Sequence, residues 1–167
     1  RSRLGMAVEA ARRLAACRSE RDLYRRLLVE LGAIAGARGG SLFLVEAGKL
    51  ELAASLDPGH APVSLPSDHA DRSVLARALA SRSPLLTPDL AADGELDSSG
   101  WSGYRDGSFL VIPILDHRDQ VRGALSLHNR SNPPFTAEDL DLGLILLSLA
   151  AEVLGSLRAA EAVRKSE

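Results

Sequence analysis

Apolar residues in this chain recur with two periods, and the change from one to the other marks out its elements. Over residues 4–17, Leu4, Val8, Ala11 and Leu14–Ala15 share one face at helical spacing. Residues 20–35 repeat the pattern, with Leu23, Leu27, Leu31 and Ile34 in one stripe. Ser19 stands three positions before Asp22, the spacing of a capping box, and Gly36 supplies a left-handed stop. The period then shortens to that of a strand. "SLFLVE" (41–46) and "KLELAASL" (49–56) read as a hairpin with a tight turn at Gly48. In its second strand Leu50, Leu52, Ala54 and Leu56 form one face, and Lys49, Glu51, Ala53 and Ser55 the other.

Prolines, a glycine and aspartates make 57–71 a loop. A short helix at 72–81 carries Val74, Leu75, Ala78 and Leu79, and "PLLTP" (84–88) is a brief strand. "SFLVIPIL" (108–115) is apolar on both faces, as a covered central strand should be, and Pro113 implies a bulge or a missing ladder bond. "QVRGALSLHN" (120–129) returns with Val121, Gly123, Leu125 and Leu127 on one face and Arg122, Ala124, Ser126 and His128 on the other. A long helix at 137–164 closes the chain. Thr136 with Asp139 forms a second capping box, and Phe135 with Leu140 a hydrophobic staple. Leu142, Leu146, Leu149, Val153, Leu157 and Ala160 follow a roughly heptad rhythm, while Leu144, Ile145, Leu147 and Leu154 add a second apolar face. Such a helix needs two partners: its own sheet and another subunit.

This order of elements implies an α+β fold. A central antiparallel sheet carries the terminal helices on one face, with connecting helices and loops over a ligand pocket on the other. Residues 1–19 read as an N-terminal signalling or dimerisation helix, and 20–160 as the globular domain. The final helix, 137–164, runs on as a linker toward a downstream effector domain. A chain that opens on Arg1 and ends in a charged helix suits an excised piece of a longer protein.

Composition narrows the classes. A length of 167 residues suits one domain with a core large enough to fold unaided. The net charge of −2 argues against nucleic-acid binding, whose footprint is strongly basic. Cys17 is the single cysteine, so neither an internal disulfide nor a cysteine-based metal cluster is available, and its apolar helical setting gives it a packing role. No signal-peptide pattern is present and the longest apolar run falls short of a membrane span, so a cytoplasmic address without membrane insertion is expected. His60 and His69 share a loop with Asp57, Asp68 and Asp71, and His128 lies on the pocket-side strand face. Their spacing matches no metal-binding signature, and no metal is expected.

One stretch stands apart. "SSGWSGYRDGS" (98–108) places the only tryptophan, Trp101, beside Tyr104 and Arg105 in a glycine- and serine-rich loop. With its neighbours it carries a family resemblance. "SLFLVE", "SLPSDHADRSVLARALASRSPLLTPDLA", "GYRDGSFLVIPIL" and "GALSLHN", in that order, resemble a GAF domain, the sensory module of cyclic-nucleotide phosphodiesterases, phytochromes and bacterial signalling proteins. The likeness runs from about residue 20 to 160 and is closest to the cyclic-nucleotide phosphodiesterase-type branch. Asn129, Arg130, Phe135 and Asp139 match that branch's N-K…F-x-x-x-D-E signature, with arginine for lysine and Leu140 where glutamate belongs. The signature implies a structural lock in which Arg130 pairs with Asp139 as a fork. Helix capping and stapling explain Phe135 and Asp139 equally well.

The resemblance also implies a pocket. It falls on Ser41, on Asp57, on Leu75 and Ala76 of the third helix, and on Ser102 and Asp106 of the aromatic loop. Ser41 and Ser102 would hydrogen-bond a ligand, and Asp57 or Asp106 would accept from an amine or ring nitrogen. Phe43 joins Leu75 and Ala76 as an apolar wall. Trp101 or Tyr104 would stack on a planar molecule, and Arg105 suits an anion. "DRSVLAR" lacks the glycine turn that presents N–H groups to phosphate in the family, and Asp71 would repel an anion there. The implied ligand is a small molecule, a cyclic nucleotide or another, without covalent bilin.

The reading is a sensory, regulatory module that is not an enzyme, binds a small molecule and signals through a homodimer of its terminal helices. The alternative is a ligand-free dimerisation module whose pocket its own side chains fill. One branch of the family reduces free methionine sulfoxide with pocket cysteines, and Cys17 has no second thiol to pair with.

Overall fold

A computed structural model describes residues 2–57, 64–66, 74–88 and 108–166. Helix α1 (Arg3–Ala15) starts where the Ser2 hydroxyl accepts from the Gly5 N–H at 3.0 Å. Helix α2 (Glu20–Ala35) starts the same way, with the Asp22 N–H donating to Ser19 Oγ at 3.2 Å. It stops at Gly36, whose φ of 70° would penalise a side chain. Then come β1 (Ala37–Glu46), β2 (Lys49–Ser55), β3 (Ser64–Pro66), α3 (Val74–Ser81), β4 (Leu85–Thr87), β5 (Phe109–Leu115), β6 (Val121–Arg130) and α4 (Ala137–Ser166). The six described strands form one sheet in the order β3-β2-β1-β6-β5-β4, every neighbouring pair antiparallel. The α+β architecture with a central antiparallel sheet, expected from the pattern, is the one found. Both outer strands, β3 and β4, are three residues long.

The pleat sorts the core into two layers. Leu42, Leu110, Ile112, Leu125 and Leu127 face the terminal helices and pack in one cluster with Leu14, Leu23, Leu27, Leu31 and Leu146. Each fully buried leucine of this kind contributes roughly 2 kcal/mol, which is what holds α1, α2 and α4 to the sheet. The alternate residues point the other way. Phe109 and Val111 meet Ala78 of α3, and Phe43, Leu50 and Ala124 meet Leu79. Strand β5 is apolar on both faces because both are covered.

Three local features depart from the pattern. Strand β1 begins at Ala37 rather than Ser41, because pairing of Ala37 with Arg130 and Gly39 with His128 extends it through glycines that carry no apolar signal. Strand β3 lies inside the stretch expected to be loop, held by its pairing with Lys49–Glu51 of β2. The single apolar face expected for β2 is split: Leu50 and Leu52 lie on the α3 side, while Ala54 and Leu56 join the helix-side core. A bulge opposite Leu42 and Phe43 adds one residue and reverses the alternation.

Helix α4 bears on a further expectation. By length and composition it is apolar enough to cross a membrane, its most apolar stretch averaging 1.8 in hydropathy. Uninterrupted apolar runs are short, but isolated charges such as Glu152 barely lower that average. Leu142, Gly143, Leu146 and Ala150 of this helix are buried against the domain.

Candidate functional site

The α3 side of the sheet changes character along its strands. Ser55, Ser41 and Ser126 occupy one rung across β2, β1 and β6, with Ser41 opposite both of the others. Directly opposed residues on one face lie roughly 5 Å apart, so three hydroxyls stand in a row. Phe43 and Ala124, the next such pair toward the hairpin, keep that side apolar. On the other side Gly39 pairs with His128, and His128 with Phe109.

Gly39 makes room for His128. A Cβ on residue 39 would lie 2.2 Å from Nε2, so the imidazole occupies the space above the glycine backbone. The ring is 2% exposed and its centroid lies 6.3 Å from that of Phe109. Burial pushes its pKa down to about 4, against an upward pull from the Asp57 carboxylate. A neutral imidazole presents one donor and one acceptor. Ser55 Oγ accepts from the Asp57 N–H at 3.0 Å and donates to the Gly40 carbonyl at 3.4 Å, fixing the chain where it leaves β2.

Of the residues named from sequence, Ser41, Phe43, Asp57, Leu75 and Ala76 belong to this face or to α3 above it. Ser41, Phe43 and Ala76 are buried, and Asp57 and Leu75 half-buried. Leu75 packs against both apolar clusters of the α3 side. Trp101, Ser102, Tyr104, Arg105 and Asp106 lie outside the described residues, as do His60, Asp68, His69 and Asp71. Among the described residues no group of three or more His, Cys, Asp or Glu could hold a metal ion. Sequence reasoning placed His128 on the pocket-side strand face but named neither it nor Ser55, Ser126 or Gly39 as a ligand-binding residue. Alternation placed Ser126 and His128 on one face, but Gly39 carries no signal until its pairing with His128 is known.

A second arrangement lies at the end of β6. Asp139 is fully buried at the start of α4, where its Oδ2 accepts from the Thr136 N–H at 2.8 Å and its own N–H donates to Thr136 Oγ1 at 3.2 Å. Arg130 Nε stands 3.0 Å from the same Oδ2. The guanidinium does not fork onto the carboxylate: Nε lies close to it without a hydrogen bond, and Nη1 donates to the Asn132 carbonyl. A second cation takes the other oxygen: Arg3 of α1 pairs with Oδ1 and also with Glu138 at 3.1 Å. Asn129 is buried with φ at 55°, and the Phe135 N–H donates to Ser108 Oγ at 2.9 Å. Capping and ion pairing therefore coexist on Asp139. Cys17 lies on the helix side, its Sγ 3.4 Å from the Arg13 carbonyl and its pKa raised by burial.

A family model described as GAF domain matches residues 17–154. The chain belongs to the GAF domain family. Its fold is shared with a methyl-accepting chemotaxis protein segment, at TM-score 0.74 and 17% identity, covering 92% of this chain and 99% of that one. The GAF domain of a phosphoenolpyruvate-protein phosphotransferase from Coxiella burnetii superposes at TM-score 0.76 with 18% identity, covering 96% of each. A free methionine-R-sulfoxide reductase from Neisseria meningitidis, solved with its substrate, gives 0.73 and 18%, covering 95% and 91%. No curated protein matches the chain.

Two expectations change here. The matches support the GAF family but not its cyclic-nucleotide phosphodiesterase-type branch. The expectation that the chain is not an enzyme is also overturned as a deduction from the fold, because a reductase is built on this same GAF architecture.

Proposed function

We propose that this GAF domain is a sensory or regulatory module of a signalling protein. A small molecule held on the α3 side of the sheet alters the pairing of terminal helices in a homodimer, and the helices pass the change to an effector domain. The supporting observation is the Ser55–Ser41–Ser126 row, continued by His128 and Asp57, on a sheet face whose other described positions are mostly apolar. Hydroxyl, imidazole and carboxylate groups gathered on an apolar face offer a ligand a few convergent donors and acceptors, the usual make-up of a small-molecule site. The phosphate of a cyclic nucleotide would meet Asp57 and a neutral imidazole there, so a neutral or cationic molecule is the better fit. The similar chemotaxis protein segment is consistent with a sensory role. Exposed Leu4 on α1 and Ile145 on α4, at 71% and 61%, give the helix layer an outer apolar face for a second copy.

Native mass spectrometry of the freshly purified domain tests both halves together. A dimer carrying extra mass is expected, and the Ser41→Val, Ser126→Val double variant should remain a dimer and lose that mass. A dimer without added mass from any preparation would favour the self-filled dimerisation module.

A further inference from the structure

The same sheet face holds a concavity at its hairpin end. It measures ≈ 310 Å³, at the lower end of the range for small-molecule sites. Val45, Leu50, Leu79 and Val121 form its floor, and Arg82 and Gln120 stand at its exposed rim. Val45 and Ser41 lie on one strand, four residues apart at about 3.3 Å each, so roughly 13 Å separates this pocket from the serine row.

Arg82 occupies a backbone position that suits glycine. It follows the last residue of α3 with φ at 54°. Its N–H bonds the Leu79 carbonyl at 3.3 Å, and the Ser83 N–H bonds the Ala78 carbonyl at 3.3 Å, so the helix end is closed around it. A left-handed conformation costs a non-glycine residue roughly 1 kcal/mol. The helix dipole explains a positive charge near this end, but not why it sits on the left-handed residue that closes the helix, where glycine is the usual choice. Among the described residues no carboxylate pairs with the guanidinium. Strain retained at a residue on the mouth of an apolar cavity points to use of its side chain.

Gln120 is held just as firmly. Its N–H donates to Asp116 Oδ1 at 3.0 Å, and its carbonyl accepts from the Asp116 N–H at 3.0 Å. Its side-chain amide donates to the Arg118 carbonyl at 3.4 Å, which leaves a second amide hydrogen for an acceptor. An apolar floor with a guanidinium and an amide at the rim matches a ligand with an apolar body and a planar anionic head.

We propose that this pocket binds a small amphipathic carboxylate, its alkyl or aryl body on Val45, Leu50, Leu79 and Val121 and its head on Arg82 and Gln120. Guanidinium and carboxylate pair as two parallel hydrogen bonds, so charge and shape are both read. The site stands apart from the serine row and does not depend on what that row binds.

Titration calorimetry with sodium octanoate, octylamine and octanol as probes tests the assignment. Octanoate should bind saturably at one site, octylamine not at all, and octanol at least tenfold more weakly. Arg82→Gly removes the head contact and relieves the left-handed strain. It should lower octanoate affinity at least tenfold while Tm holds or rises. Val121→Phe fills the floor and should abolish binding, and Gln120→Leu gives a milder loss if that variant folds poorly. His128→Gln should leave octanoate binding unchanged, which separates this pocket from the serine row. Octylamine binding as tightly as octanoate, undiminished affinity in Arg82→Gly, or no saturable octanoate binding would overturn the proposal.

Discussion

Arg3, in the first turn of α1, pairs with Asp139, in the first turn of α4, across 136 positions of chain. The carboxylate is fully buried and takes Arg130 at 3.0 Å as well, so one side chain joins α1, the end of β6 and α4. Removing it leaves the largely buried Arg130 guanidinium without its anion, and Arg3 with Glu138 alone. Asp139→Ala should cost about 3–5 kcal/mol, measured by urea denaturation. Arg3 is partly exposed, and Arg3→Ala should cost about 1–2 kcal/mol. Parent-like stability in Asp139→Ala would show that the joint lies elsewhere.

The buried imidazole gives stability a pH dependence. His128 titrates at about 4 in the folded chain against 6.5 ordinarily, so between those values the unfolded chain binds the extra proton. Stability from the neutral ring is fully present above pH 6.5 and drains away as pH falls toward 4, a loss on the order of 3 kcal/mol. Denaturation midpoints taken across that window should fall steadily with pH. His128→Gln should flatten the profile, and an unchanged slope in that variant would assign the titration to another group.

Gly39 and His128 should behave as one unit. An alanine at 39 would drive its Cβ to 2.2 Å from Nε2, so the ring must move, at about 1–3 kcal/mol. With His128→Ala in place the clash has no partner and most of that cost should vanish. A double-mutant cycle should return a coupling above about 1 kcal/mol. Additive single effects would mean that the ring yields freely.

The outer helix face should govern assembly and not folding. Leu4 and Ile145 are exposed in the single chain, so Leu4→Glu and Ile145→Glu should leave circular dichroism unchanged. Sedimentation should shift toward the monomer in both. A dimer that survives the double change would place the interface on another surface.

Much of this architecture could be read from the chain because its elements are strongly periodic. The stripe of Leu23, Leu27, Leu31 and Ile34 and the two-sided β5 each gave the same answer locally and in the fold. The features that escaped depend on partners distant in sequence. Strand β3 is recognisable only beside β2, and the bulge opposite Phe43 reverses which leucines of β2 face α3. The site follows the same division. Ser41 and Asp57 came from motif resemblance, whereas the serine row needed the register of three strands, and the fit of Gly39 to His128 needed coordinates. Arg3 sits too far from Asp139 for any local pattern to connect them.

The lengths of the outermost strands bear on how copies of this protein meet. A sheet edge offers unpaired N–H and C=O groups to any chain that can lie alongside, and long flat edges seed fibres. Here the described sheet ends on both sides in strands of three residues, β3 and β4. So short a ledge gives an incoming strand few bonds to capture. Among the described residues neither border offers much to edge-to-edge stacking, which suits the proposed pairing of two copies through the layer of α1 and α4.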